Sequence, residues 1–100
     1  MKAKQAVRAK FREVVFKRDN HKCRICGATG KLDAHHITDR SEMPNGGYVL
    51  ENGISLCELC HWKAEQYHAT GEALPDFHPD DLYILIGSTR EKAEIASLKP

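Results

Sequence analysis

The chain has 100 residues, with 15 Lys or Arg against 14 Asp or Glu for a formal net charge of +1, and four cysteines. That length predicts one domain, too small to bury a generous core without a staple. A bilayer-spanning helix is excluded, because the longest apolar run is only Leu82–Ile86.

Residues 1–22 are charged throughout and lack an apolar segment of the secretory kind. The chain is therefore expected in the cytoplasm, where thiols stay reduced. The net charge says little about partners, but its distribution says more. Up to Lys31 there are ten basic residues against Glu13 and Asp19, or +8; the remainder carries −7. A basic N-terminal third suits a polyanion held on one side, and a merely solvated helix face fits the same count equally well.

In chain order, residues 4–18 read as an amphipathic helix with Val7, Phe11, Val14 and Val15 on one stripe. Asp19-Asn20 ends it. Cys23 and Cys26 follow, with Gly27 allowing a tight turn behind them. Leu32–Thr38 reads as a strand and Asp39–Gly47 as a loop. Tyr48–Leu50 and Ile54–Leu56 read as a second strand interrupted at Asn52-Gly53. A helix is expected from Cys57 to about Thr70, stopped by Gly71. Pro79, Asp80 and Asp81 open a further helix carrying Leu82, Leu85 and Ile86. Ser88 is expected to cap a last helix reaching Leu98, with Glu91 completing a capping box. The class is α+β, as one domain over 1–100. It divides into a basic N-terminal helix at 1–22, a metal-stapled finger at 23–70 and a helical tail at 71–100.

Cys23, Cys26, Cys57 and Cys60 form two Cys-x2-Cys pairs thirty residues apart. Two turns of this kind complete a tetrahedron of thiolates, which zinc favours, and four protein ligands leave no open position. The expected role is a structural zinc tying the first helix to the central one. A redox pair would need a βαβ context that is absent.

Inside and just after the spacer stand His35, His36, Asn52 and His61. Adjacent strand residues face opposite sides, so His35 and His36 cannot share one job. One can ligate a metal while the other points at a substrate.

These residues carry a resemblance. From Val7 to His68 the chain resembles the HNH endonucleases, whose ββα-metal finger has a His on its first strand, an Asn on the hairpin and a His on the helix. His36, Asn52 and His61 match those elements. The run Asn52-Gly53-Ile54-Ser55-Leu56-Cys57-Glu58-Leu59-Cys60-His61 looks like the zinc-bearing branch found in phage and bacteria. The resemblance implies a ββα-metal finger between flanking helices. It implies phosphodiester hydrolysis, mainly in double-stranded DNA, with His36 as general base. His35 and His61 would ligate one catalytic divalent metal, and Asn52 would bond to backbone and hold the base strand. Many members have Asp where His35 stands; an imidazole there shifts the metal from Mg2+ toward Mn2+, Ni2+ or Zn2+. Some place a second helix His where this chain has Glu65, which makes Glu65 a possible further ligand, ahead of His68. The resemblance points to a phage protein acting with DNA-packaging machinery, or to a bacterial restriction or defence nuclease; the oligomeric state is left open, a monomer being slightly favoured.

Arg40 and Lys63 are candidate phosphate contacts, with solvated surface residues as the plain alternative. Trp62 and Tyr67 are expected to pack the central helix, Tyr48 to join the hairpin core, His21 to flank the zinc and His78 to cap or lie on the surface. The apolar tail should pack on the finger or form a dimer contact. Two rival readings stand beside the nuclease: a non-catalytic zinc module binding nucleic acid, and a protein-interaction module docking through the acidic C-terminal part.

Overall fold

The computed structural model describes residues 2–99, with side chains from Lys4 to Lys99; the charge of Lys2 lies outside the described side chains. Among the described residues, four α-helices and one two-stranded sheet make it an α+β protein. Helix α1 (Lys2–Arg18) ends where Asn20 and His21 enter the left-handed region at φ 56° and 55°. Its Phe11 and Val15 are buried against the hairpin. Gly53 permits that approach: a Cβ there would lie 2.5 Å from Val15 and 2.8 Å from the Phe11 ring. The expected stripe fails at its N-terminal end, because α1 runs past the hairpin and leaves Val7 45% exposed.

Strand β1 (Leu32–His36) pairs antiparallel with β2 (Gly53–Cys57), in a register from Leu32 opposite Cys57 to His36 opposite Gly53. The expected strands were longer. Tyr48–Leu50 pairs with nothing, since β2 already fills all five positions of β1 and Leu50–Asn52 winds into a 3-10 turn. Beyond His36 the ladder passes to the Asn52 residue. Ile37 N–H donates to the Asn52 carbonyl at 2.9 Å, and Thr38 N–H to its side-chain Oδ1 at 3.0 Å. The loop at 39–47 contains two 3-10 turns, Arg40–Glu42 and Pro44–Gly47.

Helix α2 (Glu58–Thr70) stops at Gly71, which takes φ 80° and donates to the Tyr67 carbonyl at 2.8 Å. Helix α3 (Pro79–Leu85) is capped by His78, whose Nδ1 accepts from Asp80 N–H at 3.0 Å. Helix α4 (Arg90–Ser97) is capped by Thr89, not Ser88: Thr89 Oγ1 accepts from Lys92 N–H at 3.0 Å. The third helical position is thus Lys92, and no capping box forms with Glu91. The Ser88 hydroxyl turns to the Glu51 carbonyl instead, at 3.0 Å.

The core joins Ile37, Ile54, Leu56, Cys60 and Ala64 of the finger to Phe77, Leu82, Tyr83 and Ala93 of the tail. The tail therefore packs on the finger, with Tyr83 as an anchor and Leu85 left 40% exposed. Trp62 is 59% exposed and packs no core; it points off the outer face of α2. No described helix is long and apolar enough to cross a membrane.

Candidate metal centres and the groove beside them

Cys23 and Cys26 sit in the turn after α1, Cys57 ends β2 and Cys60 lies in the first turn of α2. One sulfur from each falls within 4.8 Å of all the others, and the Cys26 and Cys57 sulfurs are 3.6 Å apart. A tetrahedron with metal–sulfur bonds of about 2.3 Å has edges of about 3.8 Å. The spacing and the all-thiolate donor set fit zinc. The backbone is already shaped for it. Cys23 N–H donates to the Ala28 carbonyl at 2.9 Å, and Gly27, at φ 77°, donates to the Cys23 carbonyl at 2.9 Å. His21 is exposed beside the Phe16 ring and contributes no atom to this cluster.

The second cluster lies on the other side of the same helix start. His35, His61 and Glu65 each offer an atom within 4.8 Å of the other two. His61 and Glu65 are one turn apart on α2, and His61 Nε2 is 3.1 Å from Glu65 Oε1. His35 comes from β1, only 1% exposed, with its Nδ1 3.4 Å from the same oxygen. That Nδ1 is buried and has no hydrogen-bond partner among the described residues. An orphaned imidazole nitrogen aimed at a carboxylate and a second imidazole fits a divalent cation of the Mn2+, Ni2+ or Zn2+ kind. Burial holds the His35 imidazole neutral, with its pKa below the usual value. The His35 ring beside it, acting against burial, holds the Glu65 carboxyl down to about 2.

Two neighbours orient this set. Asp33 Oδ2 accepts from His61 Nδ1 at 3.0 Å, which leaves Nε2 free to ligate. His68 does not join the donors; its ring stacks on His35 and its Nε2–H donates to the His36 carbonyl at 3.0 Å.

His36 points to the opposite side of β1, as alternation requires. Its ring stacks on Phe11 at 4.5 Å and meets the Tyr48 ring edge-on at 4.7 Å. Burial, then the charge of Arg40, push its imidazole down to about 4, so the ring is neutral at physiological pH. His36, His61 and Glu65 nevertheless line one groove of about 400 Å³, whose rim carries Arg8, Arg12 and Arg40. Arg40 donates to the Tyr48 hydroxyl at 2.9 Å. Lys63 does not reach the groove: its Nζ lies 5.8 Å over the Phe77 ring.

Asn52 is fully buried behind the groove. Its Nδ2 donates to the carbonyls of Thr38 at 3.1 Å and Gly47 at 3.2 Å. Its Oδ1 accepts from Thr38 N–H and, at 2.7 Å, from the Tyr83 hydroxyl. Thr38 Oγ1 in turn donates to Tyr83 at 2.7 Å. Asn52 thus clamps the backbone just beyond His36 to the loop and to α3.

Sequence reasoning missed four contributors. Asp33 stands two residues before His35, and its alternation with His35 was a signal that both face α2. Arg8 and Arg12 recur at four-residue spacing in the basic helix, which placed them on one face. Tyr83 carried no signal, because only the docking of α3 brings it to Asn52.

Among known proteins, residues 23–66 match the family model described as HNH endonuclease. No curated protein and no solved structure matches the chain. The matched segment begins at the first zinc-type cysteine and ends one residue past Glu65, so it spans both clusters and the hairpin between them. Residues 23–66, just under half of the chain, are thus similar to the HNH endonuclease family.

Proposed function

We propose that the protein is a metal-dependent endonuclease that hydrolyses phosphodiester bonds in DNA, mainly double-stranded, in bacterial or phage-infected cells. The observation that carries this reading is the shared groove: a neutral imidazole, His36, faces it together with His61 and Glu65, behind which His35 completes a three-donor cluster, under a rim of arginines.

In this reading His36 takes a proton from water as the water oxygen bonds to phosphorus. The bond from phosphorus to the 3′-oxygen breaks, leaving 5′-phosphate and 3′-hydroxyl ends. His35, His61 and Glu65 hold one divalent cation, and stabilising charge on the leaving oxygen is the chemistry such a cation supplies when bound. The aromatic rings of Phe11 and Tyr48 fix the His36 ring, so little orientational freedom is lost when substrate arrives. Asn52 acts through the backbone: it keeps Thr38, and so the end of β1, in register. Arg8, Arg12 and Arg40 neutralise phosphates, a role that carries no base sequence. The four cysteines hold a structural zinc, since a closed thiolate set offers substrate no position.

The test is nicking of supercoiled plasmid by wild type and His36→Ala, without added metal and then with Mg2+, Mn2+, Ni2+ or Zn2+. Metal-dependent nicking that disappears in the variant, with bound zinc unchanged, is the expected result. Retardation of DNA without nicking by either protein would instead favour a non-catalytic binding module.

A further inference from the structure

The catalytic groove continues into a second and larger cavity, of about 580 Å³, which none of the roles above uses. The two share Arg8, Arg40 and Tyr48, so the second opens directly beside His36. One wall is the N-terminal half of α1, with Lys4 and Arg8 one turn apart and Val7 between them. The other is the loop after β1, including Asp39. The loop wall is braced rather than loose: Asn45 Nδ2 donates to the Ser97 carbonyl at 2.8 Å, and Gly46 lies so close to the Tyr48 ring that a Cβ would sit 2.8 Å from it.

The chemistry of the lining is mixed in a particular way. Lys4 and Arg8 offer cations, while Val7, 45% exposed, supplies an apolar surface. Asp39 adds an acceptor; its Oδ2 is taken by Ser41, and Oδ1 makes no hydrogen bond within the protein among the described residues. A phosphate alone would need only the cations, and a carboxylate in its site would repel it. A helical duplex backbone has phosphates and sugars for the cations but no apolar face for Val7. An unstacked nucleotide uses all three features: phosphate on Lys4 and Arg8, base face on Val7, and amino or imino hydrogens of the base edge on Asp39.

We propose that this cavity binds one unpaired nucleotide of the substrate strand, next to the phosphate that is cut. The proposal rests on the nuclease reading for its position in the strand but not for the binding itself. It makes a nucleic acid with an extruded or unpaired residue the preferred substrate, because a paired residue must first be unstacked. Guanosine is the favoured occupant among those available, since its edge presents two donors to Asp39.

Two measurements on the full chain test this. In the first, dGMP and 2-deoxyribose 5-phosphate are titrated without added divalent metal and followed by amide chemical shifts. The expected result is about five-fold or tighter binding of dGMP than of the base-free sugar phosphate, with shifts at Val7, Gly46 and Tyr48. Val7→Glu should reduce dGMP to the level of the sugar phosphate, its fold checked by circular dichroism. Equal binding of the two probes, or unchanged dGMP binding by a folded Val7→Glu, overturns the pocket. In the second, nicking is compared on a paired duplex and on one carrying a single unpaired guanosine. Faster cutting beside the unpaired residue by wild type, with that advantage lost in Val7→Glu, supports the substrate assignment; equal rates in wild type overturn it. If wild type cuts neither duplex, the nuclease reading fails and the dGMP titration alone decides the pocket.

Discussion

Two donor clusters grow from the first two turns of one helix. Cys60 and His61 are adjacent on α2, yet Cys60 turns to three other thiols and His61 to an imidazole and a carboxylate. The cysteine cluster has four ligands of one kind, two of them buried, and joins the hydrophobic core through Cys23 and Cys60. The histidine cluster has three potential donors of two kinds and borders an open groove. A closed set can only hold the chain together, whereas an open set leaves room for substrate. Because α2 carries ligands of both, losing the first cluster should destroy the second, while losing the second should leave the first intact.

The largest expected effect breaks that asymmetry from the structural side. Cys60→Ser should abolish zinc binding and, with it, cooperative unfolding. Zinc contributes about 10–16 kcal/mol of apparent binding energy in finger peptides, more than a domain of this size has to spare. Zinc stoichiometry and a calorimetric scan check it, and a folded, zinc-free variant would refute the structural role. His36→Ala is the converse. Nicking should fall by about 10²–10⁴-fold while zinc content and melting temperature hold.

Asn52→Ala should come next. It removes four hydrogen bonds at a fully buried position and strands the Thr38 backbone. A loss of about 3 kcal/mol is expected in urea unfolding, against about 1 kcal/mol for Tyr83→Phe, which deletes the hydroxyl's bonds to Asn52 and Thr38 but leaves the bonds of Asn52 to backbone in place. Similar losses for the two would show that Tyr83, and not the loop, is what Asn52 secures. Asp33→Asn sharpens the comparison at the open cluster. It should weaken Mn2+ or Ni2+ binding by about 10–100-fold by calorimetry and leave zinc on the cysteines untouched. Loss of the zinc as well would mean that the clusters are not separable.

The smallest effect concerns the strut between the regions. Asp19 is buried, which opposes ionisation. Hydrogen bonds from Arg18 and from Ser55 N–H, with the Arg18 charge, nonetheless hold its carboxyl below the ordinary value of 3.8. A depressed carboxyl stabilises the fold fully above its unfolded value, and that contribution is lost as pH falls through the lower folded value. Stability should therefore decline below about pH 4, and Asp19→Asn should flatten the decline while lowering stability at pH 7. Unfolding midpoints between pH 2 and pH 7 measure both.

Much of this was legible in particular residues. Cys-x2-Cys twice over, Gly27 behind the first pair and Gly71 behind α2 each state a local requirement, and the structure meets it. Alternation along Asp33-Ala34-His35-His36 separated the two histidines before any fold was known. The errors fell where local pattern met long-range packing. Val7 belongs to the stripe by periodicity but runs past the hairpin. Tyr48–Leu50 has strand-like residues, but no partner remains for it. Ser88 and Thr89 are both good caps, and the Glu51 carbonyl decides between them by taking the Ser88 hydroxyl.

The sequence by itself determined which donors exist and how they are spaced: four thiols in two matched pairs, two histidines on opposite strand faces, and a His-x3-Glu step on one helix face. These follow from backbone geometry that every chain shares. Only the tertiary structure decided which donors meet, because that depends on how α1, the hairpin, α2 and the tail dock. It brought Glu65, not His68, to His35 and His61, put Tyr83 on Asn52, and set the basic helix opposite the loop so that a cavity opened between them. Docking is governed by the fit of buried apolar surfaces such as Phe11 and Val15 over Gly53, and that fit is a property of the assembled volume rather than of any segment.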